Sequence, residues 1–180
     1  MSVALRLVAV LSRVAVAVGS LATVTCLFLV GYSVFMRYVM GQPQPWVDKV
    51  AGWLVLALVM LAAPEAQRRF EHIGVDVAVE KLGPRLARGA HLLGALSVAL
   101  VAAVLVFAGW ETIEFSLLVG MMTDIDGVPE WWVQSLLPIG AFVLLLVALC
   151  QVAVLALGGT PEHLPTGEDA LPRDTLARGE

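Results

Sequence analysis

Residues 92–110 read LLGALSVALVAAVLVFAGW, nineteen positions without a charged side chain. A bilayer core takes about 20 predominantly apolar residues per helical crossing. A surface helix of this length in water would show a polar stripe at helical spacing, and none is present. The stretch therefore reads as a membrane-spanning helix. Working outward from it, comparable apolar runs give spans over about 14–36, 46–66, 92–117 and 131–157. The second is the shortest in strictly apolar terms, being charge-free only over residues 50–64.

Four crossings sort the eleven Lys and Arg residues by side. Arg6 and Arg13 precede the first span. Arg68, Arg69, Lys81, Arg85 and Arg88 lie between the second and third, and Arg173 and Arg178 follow the fourth. Only Arg37 and Lys49 fall on the other side, and the connection 119–130 holds no basic residue. Basic residues in short loops stay cytoplasmic. The reading is an all-α membrane protein with four transmembrane helices and both termini inside. Composition agrees: 59% of residues are hydrophobic and 14% charged, against about 25% charged in soluble domains. One membrane domain, residues 1–157, uses most of the chain. Residues 158–180, rich in Pro, Gly and charge, read as a disordered cytoplasmic tail. Residues 1–13 are basic, but the apolar run after them is too long for a secretory leader and lacks its small-residue exit.

The segment 73–88 differs in kind. Val75, Val79, Leu82 and Leu86 recur at helical spacing, and Asp76, Glu80, Lys81, Arg85 and Arg88 fill other positions. This is an amphipathic helix, interrupted near Gly83 and Pro84, too polar to cross. Its place is along the inner interface with its cations near anionic phospholipid; an ordinary loop helix folded on the bundle is the alternative. On the outer side, Gly41, Pro43 and Pro45 punctuate a short turn. Tyr38, Trp46, Trp131 and Trp132 fit the aromatic belt, with docking of a partner as the sharper reading. Arg37 and Asp48 flank the outer turn, so Arg37 either pairs with Asp48 or reaches lipid phosphate. Pro138 either kinks the fourth helix or marks its start. In the third span, Ala95, Ala99 and Ala103 sit four residues apart, as in helices that approach closely in lipid.

No chemistry of a catalytic kind is written here. Cys26 and Cys150 both lie inside apolar spans and read as packing residues. A haem-bearing bundle needs paired axial ligands, whereas His72, His91 and His163 include only one residue near a span. No Ser/His/Asp set, phosphate loop or zinc motif occurs. A self-sufficient ion-coupled carrier places polar or broken helices at the midplane, and the centre of each span is uncharged. The chain reads as a scaffold. No enzyme activity, cofactor, metal site or nucleic-acid partner is expected.

The order of short motifs narrows this. Phe35-Met36-Arg37-Tyr38 closes the first span, and Pro45-Trp46-Val47-Asp48-Lys49 opens the second. Arg68-Arg69-Phe70-Glu71-His72-Ile73-Gly74-Val75-Asp76 follows the second. Val128-Pro129-Glu130-Trp131-Trp132 leads to Leu137-Pro138-Ile139-Gly140. In this order and spacing the chain resembles the small membrane subunit, DctQ-type, of tripartite ATP-independent periplasmic (TRAP) transporters, over about residues 14–157. One departure stands out: the family usually has two acidic residues after the tryptophan that opens the second helix, and here the pair is Asp48-Lys49. The resemblance implies a large permease subunit and a periplasmic solute-binding protein as partners, in a bacterial inner membrane. It also implies sodium-driven uptake of an organic acid, with this chain bracing the permease. The motif residues it singles out are Arg37, Trp46, Asp48, Arg69, His72, Asp76, Trp131 and Pro138, and Ala99 is a candidate contact with the permease. The alternatives are an accessory subunit of another tripartite carboxylate transporter, and a membrane redox subunit.

Overall fold

The computed structural model describes residues 2–69 and 84–157. They form five helices: α1 (Ser2–Tyr38), α2 (Pro45–Arg68), α3 (Pro84–Val119), α4 (Glu130–Gln134) and α5 (Leu136–Ala156). Four segments are long and apolar enough to cross a membrane: Leu7–Tyr38, Pro45–Arg68, Leu86–Val119 and Glu130–Ala156. The fourth combines α4 and α5.

Helix ends follow local chemistry. Gly41 (φ 67°) and Gly120 (φ 69°) take the left-handed conformation just beyond α1 and α3, where a glycine pays no Cβ penalty. At α3 the Met121 amide returns to the Ser116 carbonyl at 3.0 Å, the bond of a Schellman C-cap. Pro45 opens α2, a position where its missing N–H costs nothing. Ser135 separates α4 from α5 while keeping helical dihedrals. Pro138 falls in the first turn of α5, so the Gln134 carbonyl loses its ladder donor. The ladder resumes with Ile139 donating to the Ser135 carbonyl at 3.1 Å. Pro138 thus stands in the first turn of α5, close to the helix start at Leu136.

Two boundaries move. α1 begins well before residue 14, because nothing between Ser2 and Arg13 breaks a helix. Residues 84–88, expected at the end of the interfacial helix, form the first turns of α3 instead. Pro84 favours a helix start, and no proline interrupts the way into the span. The remainder of the expected interfacial helix, with His72 and Asp76, lies outside the described residues. So does the expected tail.

α5 is the hub. α1 packs on α2, α2 on α5 and α5 on α3, while α2 and α3 scarcely touch. Gly140, Ala141, Val143, Val147, Ala148, Gln151 and Leu155 of α5 are buried, recurring at three- and four-residue steps. Gly140 lets α2 in: a Cβ there would stand 2.6 Å from the Met60 carbonyl oxygen. On α3 the buried small residues are Ala95, Ala99, Ala102 and Gly109, and Gly109 lies against Leu137 and Pro138 of α5. Ala99, the expected permease contact, is thus buried within the chain's own bundle. Four-residue steps drift off a helix face of 3.6 residues per turn, so Ala102 is buried and Ala103 exposed. Leu93, Leu100, Val104 and Phe107 are exposed on α3.

Candidate functional site

Polar groups gather at the two ends of the bundle. At the end that holds the α1–α2 turn, Arg37 and Asp48 meet: Arg37 donates to Asp48 Oδ2 at 2.9 Å. Ser33 donates to Asp48 Oδ1 at 3.0 Å. Asp48 lies in the first turn of α2 and Arg37 in the last turn of α1, so each also complements its helix dipole. Both side chains are half exposed, and an exposed pair contributes less than about 1 kcal/mol. Its use is to fix the angle at which α2 leaves the turn. Trp46 donates from Nε1 to Gln44 Oε1 at 3.2 Å and is also half exposed.

Lys49 does what a second acid could not. It pairs with Asp124 in the α3–α4 connection, 75 residues along the chain. The hydrogen bond and charge of the Lys49 ammonium hold the Asp124 carboxyl below its ordinary value. The α3–α4 connection is itself compact. Thr123 donates from Oγ1 to the Val128 carbonyl at 2.8 Å, Gly127 takes φ 82°, and Glu130 N–H returns to the Met121 carbonyl at 3.2 Å. Trp131 and Trp132 follow in an edge-to-face pair with centroids 5.9 Å apart, both exposed. Beneath this connection lies a cavity of about 520 Å³, between α2, α3 and the α4–α5 bend. Next to it Pro138 packs against α3, where a Cβ on Gly109 would stand 2.9 Å from Pro138 Cδ.

The opposite end holds a cluster that sequence reasoning missed. Glu65, 4% exposed, receives a two-pronged bond from Arg68, Nη2 to Oε1 at 2.6 Å and Nε to Oε2 at 2.8 Å. Arg69 donates to Oε1 at 2.8 Å, and Ser12 of α1 donates to Oε2 at 2.6 Å. Beside it Gln67 donates to Gln151 Oε1 at 2.7 Å, and Gln151 Nε2 donates to the Gln67 carbonyl at 2.7 Å. Gln151 thereby bonds a carbonyl in the last turn of α2 and ties α2 to α5. The spacing of Glu65 to Arg68 and Arg69, three and four positions, puts the charges on one helix face and was a usable signal. Ser12, 53 positions away, gave none.

Of the motif residues, Arg37 and Asp48 are brought together, with Trp46 at the same turn. Arg69 joins Glu65 at the other end, and Trp131 and Pro138 flank the α4–α5 bend. No single pocket collects them. Among the described residues no three His, Cys, Asp or Glu side chains come close enough to share an ion. Among the described residues the geometry joins helices.

No curated protein matches the chain. The family model described as tripartite ATP-independent periplasmic transporters, DctQ component, matches residues 26–158, a range that takes in the whole of α2, α3, α4 and α5 and the C-terminal part of α1. A chain matched over most of its length, with four helices fit to cross a membrane, belongs to that family, and this protein is a DctQ component of a TRAP transporter.

Proposed function

We propose that this chain braces the large permease subunit of its transporter in a bacterial inner membrane. The working assembly takes up an organic acid delivered by a periplasmic binding protein and driven by sodium. Both termini face the cytoplasm. The observation that carries the reading is Glu65. It is the buried carboxylate of the described spans, and two arginines and a serine consume its oxygens. Intramembrane ionisable groups mark transport paths when they face a water-filled cavity. This one faces its own partners and stitches α1 to α2, as a brace requires.

Reconstitution in liposomes under a sodium gradient tests the role. Uptake is expected only with this chain, the permease, the binding protein and sodium all present. Sodium-driven uptake by this chain alone overturns the reading, and so does full uptake by the other components without it.

A further inference from the structure

The cavity beneath the α3–α4 connection is graded from polar to apolar along the helices that wall it. On α2 the lining steps from Lys49 through Trp53 to Leu56, and on α3 from Thr112 through Ala108 to Leu105. Along α4 and α5 it steps from Glu130 through Gln134 to Leu137. Steps of three and four residues keep each series on one helix face. In every series the polar member stands nearest the connection and the leucine lies deepest. The polar rim carries both signs of charge. Lys49 gives one ammonium hydrogen to Asp124 and keeps the rest as donors. Among the described residues the Trp53 indole N–H and the Gln134 amide hydrogens meet no acceptor, and no donor side chain reaches the Glu130 carboxylate. Uncommitted donors thus share one space with an uncommitted anion, above an apolar floor. A simple anion there meets Glu130, and a simple cation meets Lys49.

We propose that this cavity holds the headgroup of a zwitterionic phospholipid bearing a primary ammonium, its phosphate toward Lys49 and Trp53 and its ammonium at Glu130. The phosphate accepts charge-assisted hydrogen bonds from Lys49, about twice as strong as neutral ones. It also takes the indole N–H of Trp53, one turn deeper on the same face of α2. The ammonium brings three donors and no acceptor to Glu130. The acyl chains leave past Leu56, Leu105 and Leu137. Since α2 and α3 pack on α5 but scarcely on each other, the cleft between them lets those chains reach the bilayer. The grading of the lining is thus the grading of the lipid, a charged head at the membrane surface and hydrocarbon below. A phosphatidylcholine head fills the phosphate half but offers Glu130 no N–H donor, and a phosphatidylglycerol head brings it no cation. A lipid seated here also fills the gap between two helices that lack direct packing.

Native mass spectrometry of the full-length protein, alone and co-purified with its permease, tests this. The protein is equilibrated with equal amounts of phosphatidylethanolamine, phosphatidylcholine and phosphatidylglycerol carrying the same acyl chains. Phosphatidylethanolamine is expected to be retained about tenfold more strongly than the other two, the worth of one charge-assisted bond. Glu130→Gln should bring it down to the level of phosphatidylcholine and leave phosphatidylcholine unchanged. Trp53→Phe keeps the aromatic bulk and removes only the indole donor. It should weaken the ethanolamine and choline lipids alike, severalfold, and it stands in should the first variant unfold. Equal retention of all three lipids by the wild type shows an unselective annulus and overturns the proposal, as does a wild-type pattern in either variant. Loss of the lipid in the complex shows that a permease segment fills the cavity, and overturns it too.

Discussion

At the scale of single residues, Glu65 is the most consequential side chain in the described structure. Burying a carboxylate is costly unless its oxygens are bonded, and here each oxygen takes two donors. Removing the charge leaves the Arg68 guanidinium, 12% exposed, without its fork. Breaking a buried pair by deleting one partner costs about 3–5 kcal/mol. Glu65→Gln keeps the shape and should cost about 3 kcal/mol by this mechanism. Ser12→Ala removes one neutral donor and should cost about 1 kcal/mol. Thermal unfolding of the purified variants in detergent reads both, and a melting curve unchanged in Glu65→Gln would show that the arginines find replacement partners. Arg37 and Asp48 were legible as a pair because one short turn separates them. Glu65 was hidden because an acidic residue at the end of an apolar run reads as the boundary of the span. Only the packing of α1 on α2 makes it interior.

At the scale of elements, α5 shows what periodicity can and cannot give. Its apolar sequence announced a span, but a helix hydrophobic all round has no stripe to say which neighbour it meets. The answer lies in its small residues. Gly140 sits against the backbone of Met60, which cannot move without shifting α2. Gly109 of α3 sits against the Leu137 and Pro138 side chains at a wider 2.9 Å; the leucine end can turn aside, while the proline ring must shift with its backbone. Gly140→Ala should therefore cost about 1–3 kcal/mol through overpacking, and Gly109→Ala less. Chemical unfolding of the two variants checks the order, and equal stability in Gly140→Ala and wild type would place α2 further from α5 than described. The alanine stripe teaches the converse. Ala95 and Ala99 were correctly small, but their use is internal. The face left for a partner is the larger one bearing Leu93, Leu100, Val104 and Phe107, which sequence spacing could not separate from lipid-facing surface.

For the whole molecule, the distribution of charge sets the expected orientation in the membrane. The helices fix relative sides: the α1–α2 turn and the α3–α4 connection share one end, joined by Lys49 and Asp124. Charge then orients the bundle. The shared end carries Arg37 and Lys49 as its only basic residues, and nine of the eleven belong to the other segments. Lys and Arg in short loops resist translocation, and a cytoplasmic leaflet rich in anionic lipid attracts them by about 1 kcal/mol each. Glu65 adds a local consequence, since it neutralises part of the Arg68 and Arg69 charge. The bias then leans on Arg6, Arg13, Lys81, Arg85 and Arg88. The expected orientation places both termini in the cytoplasm. A reporter active only outside the membrane, fused within residues 123–128, should be active, and one fused after residue 158 should be silent. Exchanging Arg85 and Arg88 for Gln should weaken the preference without inverting it, because the remaining basic residues still favour that side. An active reporter after residue 158 in the unmodified chain would reverse the assignment and, with it, the side on which the cavity beneath the α3–α4 connection opens.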